Sequence, residues 1–423
     1  MLQVPYIREN KDLIIQRLKL RNLDAAEIID KIIDTDKNRR ETQKKLDETL
    51  ASSNAKAKEI GMLFKQGKGA EANALKEETS KLKEESKQLQ ETFNNYSTEL
   101  TQLLYQVPNV PNEIVPEGNS DEDNVEIFTA GTVPTLHDEA QPHWELTKKY
   151  SLIDFELGVK ISGAGFPVYT GKGARIQRAL VNFFLDNSTE MGYREVQPPL
   201  LINETSGYGT GQLPDKEGQM YHVGADDLYL IPTAEVPVTN IYRDVILDAD
   251  QLPIKNTAYS QCFRREAGSY GSDVRGLNRL HQFDKVEIVQ LVHPSKSYEA
   301  LEEMVEYVKT LLEKLELPYR IVRLCGGDLG FTSALTYDFE VYSAAQDKWL
   351  EVSSVSNFET FQANRLKCRY RDENGKPQLV HTLNGSALAF PRILAALLEN
   401  NQTPDGIKIP KALAKYTGFD MIS

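Results

Sequence analysis

One seam runs through the first quarter of the chain. Ile29, Ile32, Leu46, Leu50, Ser53, Ala57, Ile60 and Phe64 follow an alternating three- and four-residue spacing, with Asp36, Arg39 and Gln43 filling its polar interval. Gly67-Lys68-Gly69 interrupts it. The pattern then resumes with Leu75, Leu82, Leu89, Tyr96 and Leu103 seven apart, and Thr79, Ser86, Phe93 and Leu100 four residues after each of the first four. Seven-residue spacing is the seam of a coiled coil, and a glycine turn between two such helices makes an antiparallel hairpin. At 1.5 Å per residue, helices of about 35 residues reach roughly 50 to 55 Å. Ahead of them, residues 1 to about 22 read as a short helix with Ile7, Leu13, Ile14 and Leu18, ending near Asn22. A helix pair buries only one thin seam, so a dimerisation rod and a lever that touches a distant partner both stay open.

Pro108, Pro111 and Pro116 end the helical pattern, and Gly118-Asn119-Ser120-Asp121-Glu122-Asp123-Asn124 reads as a linker. The expected division is a helical domain over 1–110, its arm spanning about 28–104, and a second domain over 111–423. In the second part the periodicity changes. A helix is expected from about Ala174 to Gly192, running into a strand stopped by Pro198-Pro199, and another from Lys296 to Leu315. Strands are expected at 319–324, 337–342 and 348–354. The result is an α+β fold, a mostly antiparallel sheet with segregated helices. There is no Walker A loop and no GxGxxG fingerprint, so a nucleotide site here is of another type.

Two further strands surround a polar loop: Cys262-Phe263-Arg264-Arg265-Glu266 leads in, Gly268 and Gly271 open the loop, and Arg275, Arg279 and His281-Gln282-Phe283-Asp284-Lys285-Val286-Glu287 lead out. Alternation puts Phe283, Lys285 and Glu287 on one face and Asp284, Val286 and Ile288 on the other. Guanidinium forks suit phosphate or carboxylate, an aromatic face suits a base, and a carboxylate suits an amine. Taken alone, the same residues also describe an exposed, salt-bridged hairpin. Further on, Glu351 and the serines of Leu350-Glu351-Val352-Ser353-Ser354-Val355-Ser356-Asn357 offer a carboxylate and a hydroxyl for Mg²⁺ on phosphates. Arg392 opens a strongly apolar helix, a position that favours anions.

Composition narrows the class. The 423 residues are 40% apolar and 26% charged, which is globular and long enough for more than one domain. No apolar run approaches the roughly 20 residues that span a bilayer. Cys262, Cys325 and Cys368 are isolated, so a reduced, cytoplasmic setting is expected, and the six scattered histidines offer no structural zinc site. The net charge is −13, which taken as a whole speaks against nucleic acid. It is unevenly spread: Lys31 to Leu104 holds 14 Lys and Arg against 13 Asp and Glu, a balance of +1, and the remainder carries −14. A polyanion is therefore expected on the first segment or on the arginine-bearing hairpin.

Helix-strand-proline, FRRE hairpin and arginine-led helix occur in the order of the three signature motifs of class II aminoacyl-tRNA synthetases. More narrowly, TAE at 233–235, FRREAGSYGSDVRGLNRLHQFDKVE at 263–287, EVSSVSNF at 351–358 and TLNGSALA at 382–389 resemble seryl-tRNA synthetases of the bacterial type, as do the arm and Val107-Pro108-Asn109-Val110-Pro111. The resemblance covers essentially the whole chain. It implies a class II antiparallel sheet with flanking helices, a homodimer through the first motif, and activation of L-serine by ATP with Mg²⁺ before transfer to the 3′ end of serine tRNA, with selenocysteine tRNA as a second acceptor.

The resemblance also implies roles. Arg264 would bind the α-phosphate and the transition state, Glu266 the adenine amino group, Phe283 the adenine face and Arg392 the γ-phosphate. Glu351 and Ser354 would hold Mg²⁺, and Arg265, Val352 and Ser353 would complete the ATP site. Thr233 and Glu235 would take the serine ammonium, Arg279 its carboxylate, and Glu287 and Ser386 its hydroxyl, beside Ala234 and Asn384. The arm would bind the long variable arm of serine tRNA, with Arg39, Arg40, Lys44 and Lys45 as first contacts; a solvated face balanced by Asp36, Glu41, Asp47 and Glu48 is the alternative. Cys262 reads as a packed hydrophobe and His281 as a structural hydrogen-bonder. Two other readings stand beside this one. A ligase that loads a carrier protein is disfavoured by the intact arm. A coiled-coil adaptor with a dead catalytic domain is disfavoured by the retained Arg264, Glu266, Glu287, Glu351 and Arg392.

Overall fold

The computed structural model describes residues 1–267 and 275–423, so Gly268 and Gly271 lie outside the described residues. The chain forms two compact units, Met1–Lys19 with Leu23–Pro108, and Leu20–Asn22 with Asn109–Ser423.

In the first unit, helices Ala26–Lys65 and Gly69–Leu104 pack along their length, and Gly67, at φ +74, makes the turn. The seam of the second helix follows the expected register: Leu75, Thr79, Leu82, Ser86, Leu89, Phe93, Tyr96, Leu100 and Leu103 are all buried or half-buried. The first helix departs from it. Leu50 and Phe64 are exposed, at 42% and 45%, and Ala57 is exposed too. Covered positions include Ile32, Thr35, Arg39, Thr42, Leu46, Thr49, Ser53, Lys56, Ile60 and Leu63, an unbroken three/four alternation, and Ile29, Asp36 and Gln43 of the expected seam are covered too. Choosing the apolar neighbour at 50, 57 and 64 therefore shifts the register by one residue. Polar side chains hold seam positions because their stems pack while their heads reach partners. Lys56 pairs with Glu78, and the Arg39 guanidinium lies 5.9 Å from the Phe93 ring centroid.

The segment expected as one N-terminal helix is two, Val4–Glu9 and Lys11–Leu18, broken at Asn10, with a 3₁₀ turn at Lys19–Arg21 and Asn22 at φ +57. Ile7, Ile14 and Leu18 are fully buried, but Leu13 is 48% exposed. Ile14 and Leu18 share a face at i, i+4, and Leu13 points about 100° away from Ile14.

The second unit is built on eight strands: β1 Val125–Ala130, β2 Arg194–Glu195, β3 Ile254–Phe263, β4 Gln282–Val292, β5 Tyr319–Arg323, β6 Leu335–Ser343, β7 Lys348–Glu359 and β8 His381–Ala389. Their order is β1-β5-β6-β7-β8-β4-β3-β2, antiparallel except for β2 beside β3. Helices Gly171–Glu190, Ser297–Lys314 and Phe390–Asn400 supply Phe183, Phe184, Tyr307, Leu311 and Leu394 to one large core, with Val286 and Ile288 of β4 and Val355 of β7. Lys285 and Glu287 therefore face the other way, while the half-buried Phe283 still packs against the edge of that core. Short elements cover that face, among them helices Glu235–Asn240 and Thr360–Leu366.

Candidate functional site

Two carboxylates lie buried on the far face of β4. Glu287 is 1% exposed and Glu235, at the start of a short helix, is 6% exposed. Each is held by hydrogen bonds. Glu287 accepts from Asn384 Nδ2 (2.8 Å) and Thr233 Oγ1 (3.3 Å), and pairs with Lys285 Nζ (2.6 Å). Glu235 Oε1 accepts from Gln362 Nε2 (2.6 Å), and its backbone N–H donates to Thr233 Oγ1 (3.2 Å). Register brings Ser386 to the same place, directly opposite Glu287 across β4 and β8, and close cross-strand neighbours interact. Burial, then the Glu287 charge, push the Glu235 carboxyl up to about 7, against the pull of Gln362, Lys285 and Arg264. A buried carboxylate pair of this kind suits a cation that carries a neighbouring hydroxyl.

Gln362 depends on an unusual turn. Glu359 sits at φ +49, ψ −131, where a non-glycine residue is strained. Its N–H donates to Asn357 Oδ1 (2.8 Å) and its carboxylate accepts from Tyr298 (2.5 Å), which together hold the chain there as it enters helix Thr360–Leu366.

Arg264 lies near enough to Glu235 for its charge to act on that carboxyl. The Arg264 guanidinium stands 5.3 Å from the Phe283 ring centroid, within cation–π range, so a cation and an aromatic face lie side by side. Arg264 N–H donates to His281 O (2.9 Å), and His281 Nδ1 lies within bonding distance of Arg264 O (3.0 Å) and Tyr221 OH (3.2 Å). His281 is thus a structural hydrogen-bonder. Cys262 is fully buried and burial pushes its thiol up, away from nucleophile chemistry. Arg279 Nη1 donates to Glu266 Oε2 (3.0 Å), so an expected carboxylate ligand and an expected adenine ligand hold each other. Arg392 Nε donates to Asn278 O (3.1 Å) and its Nη1 to Glu351 O (2.8 Å), with the Glu351 carboxylate 3.6 Å away.

Glu351 and Ser354 share a face although they are three apart. Phe339 pairs with Ser353 and Glu340 with Glu351, so the strand bulges at Val352, and the bulge restores the side-chain phase. Val352 and Ser353 turn inward instead, at 1% and 2% exposure, and Ser353 Oγ donates to Ser386 O (2.6 Å). Ala234, fully buried in a second core cluster, likewise has its side chain turned away. These three residues have only backbone left to offer a ligand. Beside the bulge, Asp338 bonds Ser354, and its Oδ1 is shut from solvent without a partner. Desolvation and then the Glu351 charge push Asp338 well above the usual carboxylate range. Hard oxygen donors with an unmet carboxylate oxygen fit Mg²⁺, which keeps water and phosphate oxygens as most of its ligands. Among the described residues no three or more His, Cys, Asp or Glu side chains form a metal-holding group.

On the arm, Arg39 and Arg40 both bind Asp36 at 2.9 Å, where Arg8 joins them at 3.2 Å; the Asp36 side chain is 3% exposed. Lys44, 3.9 Å from Glu48, and Lys45 are exposed. Lys285 and Gln362 had no assigned role in the sequence. Two-residue spacing from Glu287 signalled the first; nothing local signals the second.

Two family models match the chain. Residues 221–401 match the tRNA synthetase class II core domain (G, H, P, S and T), and residues 1–111 match the seryl-tRNA synthetase N-terminal domain. A serine–tRNA ligase of Salinibacter ruber is 51% identical over 100% of this chain and 99% of its own length. One of Chlorobaculum parvum is 48% identical over 100% of both. The chain belongs to the seryl-tRNA synthetase family. The crystal structure of seryl-tRNA synthetase from Pyrococcus horikoshii complexed with ATP superimposes with a TM-score of 0.88 at 34% identity, covering 100% of this chain and 99% of that one. The function is that of the family: ATP-dependent activation of L-serine and its transfer to tRNA. No helix among the described residues is long and apolar enough to cross a membrane.

The Lys285–Glu287 pair yields a test of how the pocket is held. Lys285→Met leaves Glu287 buried and unpaired, so roughly 3 kcal/mol of stability should be lost, while adding Glu287→Leu should restore part of it. Calorimetric melting of the two variants checks this; a double variant that melts below the single one contradicts it.

Proposed function

We propose that the two halves of the pocket divide the work as follows. Glu235 and Thr233 take the serine ammonium, Arg279 its carboxylate, and Glu287, Ser386 and Asn384 read its hydroxyl. Arg264 binds the α-phosphate, Phe283 stacks on adenine, Glu266 meets the adenine amino group and Arg392 the γ-phosphate. The observation that carries this reading is the buried Glu235–Thr233–Glu287–Asn384 network alongside Arg264. It offers anions and a hydroxyl-reading wall next to a phosphate-binding cation.

The chemistry follows from those placements. The serine carboxylate attacks the α-phosphorus in line, the new O–P bond forms as the bond to pyrophosphate breaks, and Arg264 stabilises charge on the equatorial oxygens. The ribose hydroxyl of the tRNA 3′ end then attacks the seryl carbonyl, and AMP leaves. Glu351 and Ser354 are the residues that would hold Mg²⁺, whose contribution is to offset phosphate charge. A homodimer, a cytoplasmic setting and division into a tRNA-binding 1–110 and a catalytic 111–423 belong to the same reading. So does selenocysteine tRNA as a second acceptor. A structure described as A. aeolicus tRNASec in complex with M. kandleri SerRS is 18% identical and shares the fold alone. Sedimentation and charging assays read the dimer and the second acceptor directly.

Specificity follows from unpaired polar groups. Alanine in this pocket leaves Glu287 and Ser386 without the hydroxyl, and such sites reject the analogue by about 10⁴. The measurement is the ratio of kcat/KM for serine over alanine in pyrophosphate exchange; a ratio near ten would refute the assignment.

Glu235 adds a pH dependence. Its raised pKa means that below about 7 the carboxyl is increasingly protonated and neutral, and a neutral acid cannot pair with an ammonium. The kcat/KM for serine should therefore fall as pH drops through that value, approaching about tenfold per pH unit. A profile that stays flat a full unit lower overturns the role of Glu235.

The arm has its own test. Arg39 and Arg40 already serve Asp36, so Lys44 and Lys45 are the first candidates for phosphate contact. Lys44→Glu with Lys45→Glu should raise the KM for tRNA about tenfold at low salt, with a shallower salt dependence, and leave serine-dependent exchange alone. Unaltered charging kinetics across the salt range would remove these lysines from the tRNA interface.

A further inference from the structure

A buried acid–imidazole pair lies outside the pocket. His143 and Glu399 are both fully buried, one at the start of helix His143–Lys149 and the other near the end of helix Phe390–Asn400. Their contacts define the state of the ring. Leu277 N–H donates to His143 Nε2 (2.8 Å), so that nitrogen carries the lone pair and the proton sits on Nδ1. Nδ1–H donates to Glu399 Oε1 (2.6 Å), which also accepts from the His143 backbone N–H (2.8 Å) and from Gln346 Nε2 (2.9 Å); Ser343 Oγ donates to Oε2.

What this pair holds is the segment that leads into the site. Gly276 has φ +66, and a Cβ there would stand 2.2 Å from His143 Nε2, so the imidazole closes directly over the turn. The next two residues of the same helix hold the residue before it: Arg275 lies 4.7 Å from the Trp144 ring centroid and donates to Glu145 Oε1 (3.2 Å). Asn278 Nδ2 donates to Gln346 Oε1 (3.0 Å), and Asn278 O accepts from Arg392 Nε (3.1 Å). Arg279 is the next residue. Glu399 and Arg392 stand on one helix, two turns apart, so that helix is joined to the segment at both places.

We propose that His143 and Glu399 are positioning residues that set Arg392 for ATP by clamping residues 275–278, whose Asn278 carbonyl holds the Arg392 guanidinium. The inference rests on the reading of Arg392 as an ATP ligand. The imidazole suits the task because it offers one acceptor and one donor on opposite sides of a rigid ring. It can bridge a backbone N–H and a carboxylate with little freedom to slip.

The test is pyrophosphate exchange with each enzyme concentration corrected by active-site titration, so that loss of folded protein does not count. His143→Ala and Glu399→Leu should lower kcat/KM for ATP by about tenfold to a hundredfold, the scale of a small misplacement of binding groups, while KM for serine changes less than about twofold. Glu399→Gln keeps an acceptor oxygen and should lose less than Glu399→Leu. If His143→Ala does not fold, Gln346→Met, a half-buried position, and Glu399→Gln are judged by the same criterion. Wild-type ATP kinetics per titrated site, or equal losses for ATP and serine, overturn the clamp. Arg392→Ala separates the two levels. If it leaves ATP kinetics unchanged, the reading of Arg392 fails. If it is impaired while the clamp variants are normal, only the clamp fails.

Discussion

A strand inside a sheet has two faces, and in Gln282–Val292 they carry opposite chemistry. Val286 and Ile288 enter the large core, while Lys285 and Glu287 line the pocket. The side-chain period of two leaves no slack: a one-residue slip would bury Lys285 and Glu287 among aliphatic side chains. Hydrogen bonding to β3 on one side and β8 on the other holds the register, and the same pairing brings Ser386 opposite Glu287. The site is thus a by-product of the sheet's own pairing.

Such a pocket is costly to keep in an empty fold. Two carboxylates are almost wholly buried, and their mutual repulsion adds to the desolvation that each suffers. The fold answers with two cations, Lys285 and Arg264, and three neutral donors, Thr233, Asn384 and Gln362. The balance stays incomplete at Glu235, whose proton affinity is raised. In the proposed reading the serine ammonium would bring the missing charge and hydrogen bonds together, and affinity and selectivity would have one origin. Asp338 beside Glu351 repeats the logic on the phosphate side, where an orphaned carboxylate oxygen marks a place suited to a cation.

The helical unit follows a different economy. Its seam carries Thr49, Ser53 and Lys56 in place of large apolar residues, and Asp36 is buried by three arginines. Polar seam residues give up some burial in return for a fixed register between the helices. The same arginines that sequence inspection nominates for RNA are therefore partly occupied in holding their own helix.

Motif and alternation carried much of this in the sequence. The heptads of the second helix, the Gly67 turn, the strand pair around FRRE and the two faces of β4 are all local patterns, governed by backbone geometry within a few residues. The expected site residues Thr233, Glu235, Glu287 and Ser386 were nameable by resemblance, and Lys285 by its two-residue step from Glu287. Other features needed contacts between distant segments. The register of the first helix turned on whether Thr49 or Leu50 meets the partner helix, which apolarity alone misjudges. The bulge at Val352, which brings Glu351 and Ser354 to one face, exists only against β6. Gln362 reaches Glu235, and His143 reaches Glu399, across 127 and 256 residues of chain. Periodicity reports what one element presents to its surroundings; which charges are neutralised, and by whom, is decided only when the elements meet.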